Sequence, residues 1–203
     1  MCLFRFMGAG DGMSRRRYVY VVLSRSPTIL SRAIRIFKRD EYTHAALSLD
    51  RELQYMFSFG RRRPSNPFIG CYKRENLGDG FYRACGRLPG AVIEVPVSPA
   101  QYSDVCVQIQ DFLLNSHCYD YNYAGLIGNL AGMPCRSENR FFCSEFVYHV
   151  LHKSGICDFG IPRNLVRPQD LSGLDGAVIY KGDLKEYAPA KGRSGLLRLQ
   201  LPN

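Results

Sequence analysis

Phe141-Phe142-Cys143-Ser144-Glu145-Phe146-Val147-Tyr148 constrains this chain more than any other stretch, because it sets one cysteine where a helix begins. From Ser144 to Lys153 the apolar residues Phe146, Val147, Val150 and Leu151 recur with helical spacing, and Gly155 stops the run. A thiol at a helix N-terminus lies in the positive end of the macrodipole beside backbone N–H groups that lack intrahelical acceptors. Both conditions favour thiolate over thiol, and the same N–H groups can hold an oxyanion. The competing role for such a cysteine is a small apolar plug in the core.

A histidine far upstream favours the nucleophile. Thr43-His44-Ala45-Ala46-Leu47-Ser48-Leu49-Asp50 reads as a strand, Asp50-Arg51-Glu52 as a polar turn, and Leu53–Phe59 as a second strand closing a hairpin. Alternation turns Ala45, Leu47 and Leu49 to the core. It turns His44, Ala46 and Ser48 to the other side, where small residues leave room for close packing. A cysteine nucleophile needs a base within hydrogen-bond reach, and His44 is the candidate. His149 and His152 share the helix of Cys143. At about 100° per residue they are rotated roughly 120° and 180° away from it, and they lie further along the axis. His117 follows a long amphipathic helix and falls in a connection, as a reserve candidate.

The Thr43-His44 strand, the segment Ser58-Phe59-Gly60-Arg61 and the later Phe-Phe-Cys-Ser-Glu-Phe-Val helix resemble the permuted papain-like proteins of the NlpC-type superfamily. The likeness is to a bacterial branch, with lecithin:retinol acyltransferase and its relatives more distant. It runs from about residue 18 to 187 and takes in Asn66-Pro67-Phe68-Ile69-Gly70 and Tyr121-Asn122-Tyr123-Ala124-Gly125-Leu126. His44 precedes Cys143, which is the permuted order. The resemblance implies an α+β fold with a mostly antiparallel sheet packed against helices. It implies Cys143 as nucleophile, His44 as general base, and a third polar residue on the strand after His44 that orients the imidazole. Other branches place His, Glu or Asn there. Here Leu53–Phe59 offers only Gln54 and Ser58, on one face, and Ser58 is preferred.

The rest of the sequence is compatible with one domain over residues 17–190, with tails at 1–16 and 191–203. Met13 is an alternative start to Met1. A strand is expected from Tyr18 to Ser24. A basic amphipathic helix follows from Ser26, with Pro27 at its first position, to Phe37 or Lys38. Residues 60–80, rich in Arg, Pro, Asn and Gly, read as a long loop bordering the cleft. Arg61 and Arg62 in it are candidates to attract an anionic substrate group. Ala91–Val97 is expected to be a strand, and Ser98 with Pro99 to open a helix running to Leu114. Tyr121–Gly132 should form a short helix lining the pocket, with Tyr123 a substrate-contacting candidate. Ala177–Tyr180 reads as a strand paired with Asp183–Tyr187.

A net charge of +9 suits nucleic acid, anionic lipid or an acidic substrate, but no nucleic-acid-binding fingerprint accompanies it, and charge runs such as Arg15-Arg16-Arg17 also serve as solvated faces. No apolar run approaches the ~20 residues that cross a bilayer. Eight cysteines without a C-x-x-C pair or a secretory signal read as reduced thiols of a cytoplasmic protein. Their spacings match no zinc framework, and neither a metal nor a cofactor is implied. The expected activity is cleavage of an amide, ester or thioester through a Cys143 thioacyl intermediate, on a small-molecule, peptide or lipid-acyl substrate. Alternatives are lipid acyl transfer and a non-catalytic module that binds an acyl chain, a peptide or an anionic surface.

Overall fold

The computed structural model describes residues 16–25, 40–63, 66–78, 82–83 and 85–188, with backbone alone for 61–63 and 66–69. The helix expected at Ser26–Lys38 and both tails lie outside the described residues. What is described is α+β. Six strands, β1 (Arg17–Ser24), β2 (His44–Ser48), β3 (Met56–Arg63), β4 (Asn66–Glu75), β5 (Pro89–Val97) and β8 (Ala177–Asp183), form one sheet in the order β4-β3-β2-β1-β5-β8. Every pairing in it is antiparallel. A two-stranded parallel pair, β6 (Asp120–Tyr121) and β7 (Arg140–Phe141), stands apart. The described helices are α1 (Pro99–Leu114), α2 (Tyr123–Ala131) and α3 (Cys143–Lys153).

Strand alternation sorts the sheet's side chains into two cores. Val19, Val21, Leu23, Ala45, Leu47, Phe57, Phe59, Ile93 and Val95 join Val105, Ile109 and Phe112 of α1 and Phe146, Val147, Val150 and Leu151 of α3. Tyr20, Val22, Ala46, Met56 and Val92 pack instead with Leu53, Tyr82, Leu88 and Leu184 from the connections. The first core is dense in aromatic rings: Phe59 has Tyr72, Phe112, Phe141 and Phe146 with centroids 5.4–6.0 Å away. Truncating such a buried phenylalanine to alanine costs about 3–5 kcal/mol. Ser98 caps α1 by accepting the Gln101 N–H, and the Gln101 side chain returns to the Ser98 N–H.

Two expectations are corrected. Residues 60–80 are not a long loop: β3 continues to Arg63 and β4 begins at Asn66, giving a hairpin in register from Met56↔Glu75 to Gly60↔Cys71, with a shift between Arg61 and Arg63. Pro67 and Gly70 disguise the strand, but β4 is outermost on its side among the described strands, and an outer strand tolerates proline. Gly70 is required, since a Cβ there would collide with the Tyr121 ring. The second correction is at the other edge. Asp183–Tyr187 does not pair with Ala177–Tyr180, because the whole of Ala177–Asp183 is one strand on β5 and Leu184–Glu186 is a tight helical turn. No described helix is long and apolar enough to cross a membrane.

Candidate active site

Cys143 is the first residue of α3, and Phe142 before it has extended backbone, φ −108° and ψ 176°. The helix lies against β2 and β3. Its first turn is fixed from three sides. Glu145, fully buried, accepts the Phe142 N–H at 3.4 Å and the Asn122 side-chain amide at 2.9 Å, and Arg163 Nε donates to its other oxygen at 3.0 Å. Burial pushes the Glu145 carboxyl upward; the Asn122 and Arg163 contacts oppose that push. The Ser144 hydroxyl donates to Val166 O at 2.7 Å. The Cys143 side chain is therefore presented from a rigid turn, with only 7% of the residue exposed.

His44 opens β2 opposite Ser24 of β1. The Cys143 side chain lies close enough to the imidazole to favour its charged form. On its other flank, Nε2 is 3.0 Å from Oε2 of Glu75, the last residue of β4, whose side chain is 2% exposed. Glu75 Oε2 also accepts the Tyr82 hydroxyl at 2.7 Å, and Lys73 Nζ is 3.3 Å from Oε1. The Lys73 chain reaches it by lying over Gly60, where a Cβ would be 2.8 Å from Lys73 Cε. Tyr82 also packs beside the imidazole, ring centroids 6.3 Å apart.

Burial works against a charged imidazole, but the charges of Glu75 and Cys143 outweigh it and the His44 pKa is raised. Burial likewise penalises the Glu75 carboxylate. The His44 charge overrides it, with Lys73 and Tyr82 assisting, and holds the group well below the usual carboxylate range. His149 shows the opposite balance: burial, then the nearby Arg163 charge, push its pKa down to about 4. It is a neutral ring beside Arg163 Nη1, with no part in the pair.

Of the residues expected at the site, the fold brings Cys143 and His44 together. Ser58 does not reach the imidazole. It is fully buried and donates to Ala45 O at 2.7 Å, bracing the backbone next to His44. Gln54 is exposed in the β2–β3 turn, where Asp50 accepts its N–H. Sequence reasoning missed Glu75 because it searched one strand too early, and the partner sits on the next strand out. The alternation of Cys71, Lys73 and Glu75 with Tyr72 and Arg74 was the available signal. Arg61 and Arg62 lie on β3, and their side chains are outside the described residues. Tyr123 opens α2 with its ring 4.6 Å from that of Tyr121, which rests on Gly70 of β4. That places the tyrosine pair beside the strand that carries Glu75.

A thiol, an imidazole and a buried carboxylate standing in that order can activate a cysteine toward an electrophilic carbon. No protein-family model matches the chain, and no curated protein or solved structure matches it.

Proposed function

We propose that this chain is a cysteine-dependent hydrolase of the amidase or peptidase type, acting on an amide, ester or thioester, on a permuted papain-like fold of the NlpC type. One observation carries the reading: His44 is held between Cys143 and a carboxylate. An orienting group of only neutral hydroxyl or amide character would have favoured a binding module. Glu75 supplies the charge that the assignment to Ser58 lacked.

With Nε2–H directed at Glu75, the other ring nitrogen is left for the thiol proton. The Cys143 sulfur attacks the acyl carbon, forming a C–S bond, and the carbonyl electrons move to oxygen. First-turn N–H groups of α3, which lack intrahelical acceptors, can stabilise that oxyanion. As the tetrahedral species collapses, His44 gives its proton to the departing amine or alcohol, leaving a thioester on Cys143. Neutral His44 then takes a proton from water, whose oxygen attacks the thioester carbon, and the acid departs as the sulfur is released. Glu75 stays ionised throughout and holds the ring's tautomer and orientation.

Incubation with p-nitrophenyl acetate should release p-nitrophenol and place an acetyl mass increment on the peptide containing Cys143. Cys143→Ser and His44→Ala should lose both signals. Acetylation spread over several cysteines, or unchanged by His44→Ala, would remove the reading.

A further inference from the structure

The nucleophile and its base come from elements with no short covalent connection, so something must fix their separation. The stretch that follows α3 bonds to both. Next to the nucleophile, the Ser144 hydroxyl donates to Val166 O at 2.7 Å, and Val166 is fully buried. One residue on, Arg167 makes a two-pronged pair with Asp170, Nη2 to Oδ1 at 2.6 Å and Nε to Oδ2 at 3.2 Å, and its Nη1 bonds Asp40 Oδ1 at 2.9 Å. Asp40 is only 5% exposed. Gln169 Oε1 accepts two backbone N–H groups, Glu41 at 2.9 Å and Tyr42 at 3.3 Å. Residues 40–42 lead directly into His44.

We infer that Val166–Asp170 is a strut that sets the Cys143–His44 separation, with Gln169 and Arg167 as positioning residues acting through the backbone on either side. The inference rests on Cys143 and His44 being the reacting pair. A single side-chain oxygen holding two consecutive N–H groups fixes the direction in which β2 starts. The Arg167–Asp40 bond prevents that start from sliding along the strut. Loosening it lets the imidazole drift from the sulfur while Glu75, itself held by Lys73 and Tyr82, still holds the ring from the other side. The loss is therefore in thiol activation rather than in substrate binding. Arg167→Gln would leave the buried Asp40 carboxylate without its ion pair and threatens folding. Gln169→Met removes the acceptor and keeps the bulk.

The test is the iodoacetamide rate at each cysteine from pH 5 to 9, by peptide mapping, for wild type, Gln169→Met, Gln169→Glu and His44→Ala, with thermal unfolding of each. Gln169→Met should slow Cys143 about tenfold at pH 6 and move the midpoint of its pH profile up by about one unit. Gln169→Glu, which keeps both acceptor bonds, should restore the wild-type profile. A Gln169→Met profile identical to wild type overturns the strut. So does a slower rate that follows only the folded fraction, with the midpoint unmoved. If wild-type Cys143 labels no faster than the exposed Cys118 and His44→Ala changes nothing, the reacting pair itself is wrong and the strut goes with it.

Discussion

Replacing Glu75 with glutamine keeps the shape of the side chain and removes its charge. In the native site the His44 and Glu75 groups are 3.0 Å apart, and unit charges at that distance attract by about 5 kcal/mol at an effective dielectric of about 20. Much of this survives as a neutral hydrogen bond, since the glutamine carbonyl can still accept from Nε2. A hydrogen bond to a charged group is worth about 1.5–3 kcal/mol net and a neutral one about 0.5–1.5, so the loss is about 1–2 kcal/mol and the charged imidazole, with the activated thiol, should become about 5–30-fold less populated. Glu75→Gln should therefore lower the alkylation rate of Cys143 and kcat/KM for p-nitrophenyl acetate by about that factor, with circular dichroism unchanged. The sign with pH follows from the two groups. His44 is raised from 6.5 to about 10, so its stabilisation is complete below its unfolded value and is lost as pH climbs toward 10. Glu75 is lowered from 4.5 to about 2, so its share is complete above its unfolded value and is lost as pH falls toward 2. Wild type should exceed Glu75→Gln in unfolding free energy most between about pH 4.5 and 6.5. A Glu75→Gln protein with native labelling kinetics, or a stability difference independent of pH, would refute the reasoning.

Tyr82→Phe removes one of three donors to Glu75 and should slow Cys143 labelling by about fivefold, the equivalent of about 1 kcal/mol. Ser58→Ala should leave that labelling unchanged, because its hydroxyl serves Ala45 O, and should lower unfolding free energy by about 1–3 kcal/mol in urea titration. At pH 6, Cys143 should label faster than Cys106 and Cys157. Burial raises both of those thiols, and with the Asp158 charge it pushes Cys157 up to about 11. Gly70→Ala should destabilise by about 1–3 kcal/mol through collision with Tyr121, read as a fall in Tm.

The elements that carry Cys143 and His44 were legible in the sequence because local rules place them. A helix onset marks one, and strand alternation marks the other. Ser98 with Pro99 announced α1 in the same way, and β1 and β5 read clearly from their apolar runs. Glu75 was not legible, since its role depends on the β3–β4 pairing, and β4 carries proline, glycine and several charges of the kind that mark loops. Its neighbours Lys73 and Arg74 made the glutamate look like one more solvated charge. Ser58 misled for a related reason. Alternation correctly put it on the side that includes His44, but alternation cannot say how far along that side a side chain reaches, and a hydroxyl reaches only the nearest carbonyl. The Val166–Asp170 contacts to residues 40–42 span more than 120 positions of sequence, beyond any periodicity.

The acidic partner of the site terminates the outermost described strand on its side of the sheet, β4, which pairs only with β3 there. A strand held along one edge opens in local excursions well below the free energy of global unfolding. On warming, hydrogen exchange should reach the amides near Glu75 before those of β1, which is paired on both sides by β2 and β5. Catalytic competence would then fade while the sheet is otherwise whole. The heat resistance of the proposed activity and that of the fold would then be, in this topology, two separate quantities. The first can be raised by reinforcing one peripheral ribbon without altering the interior.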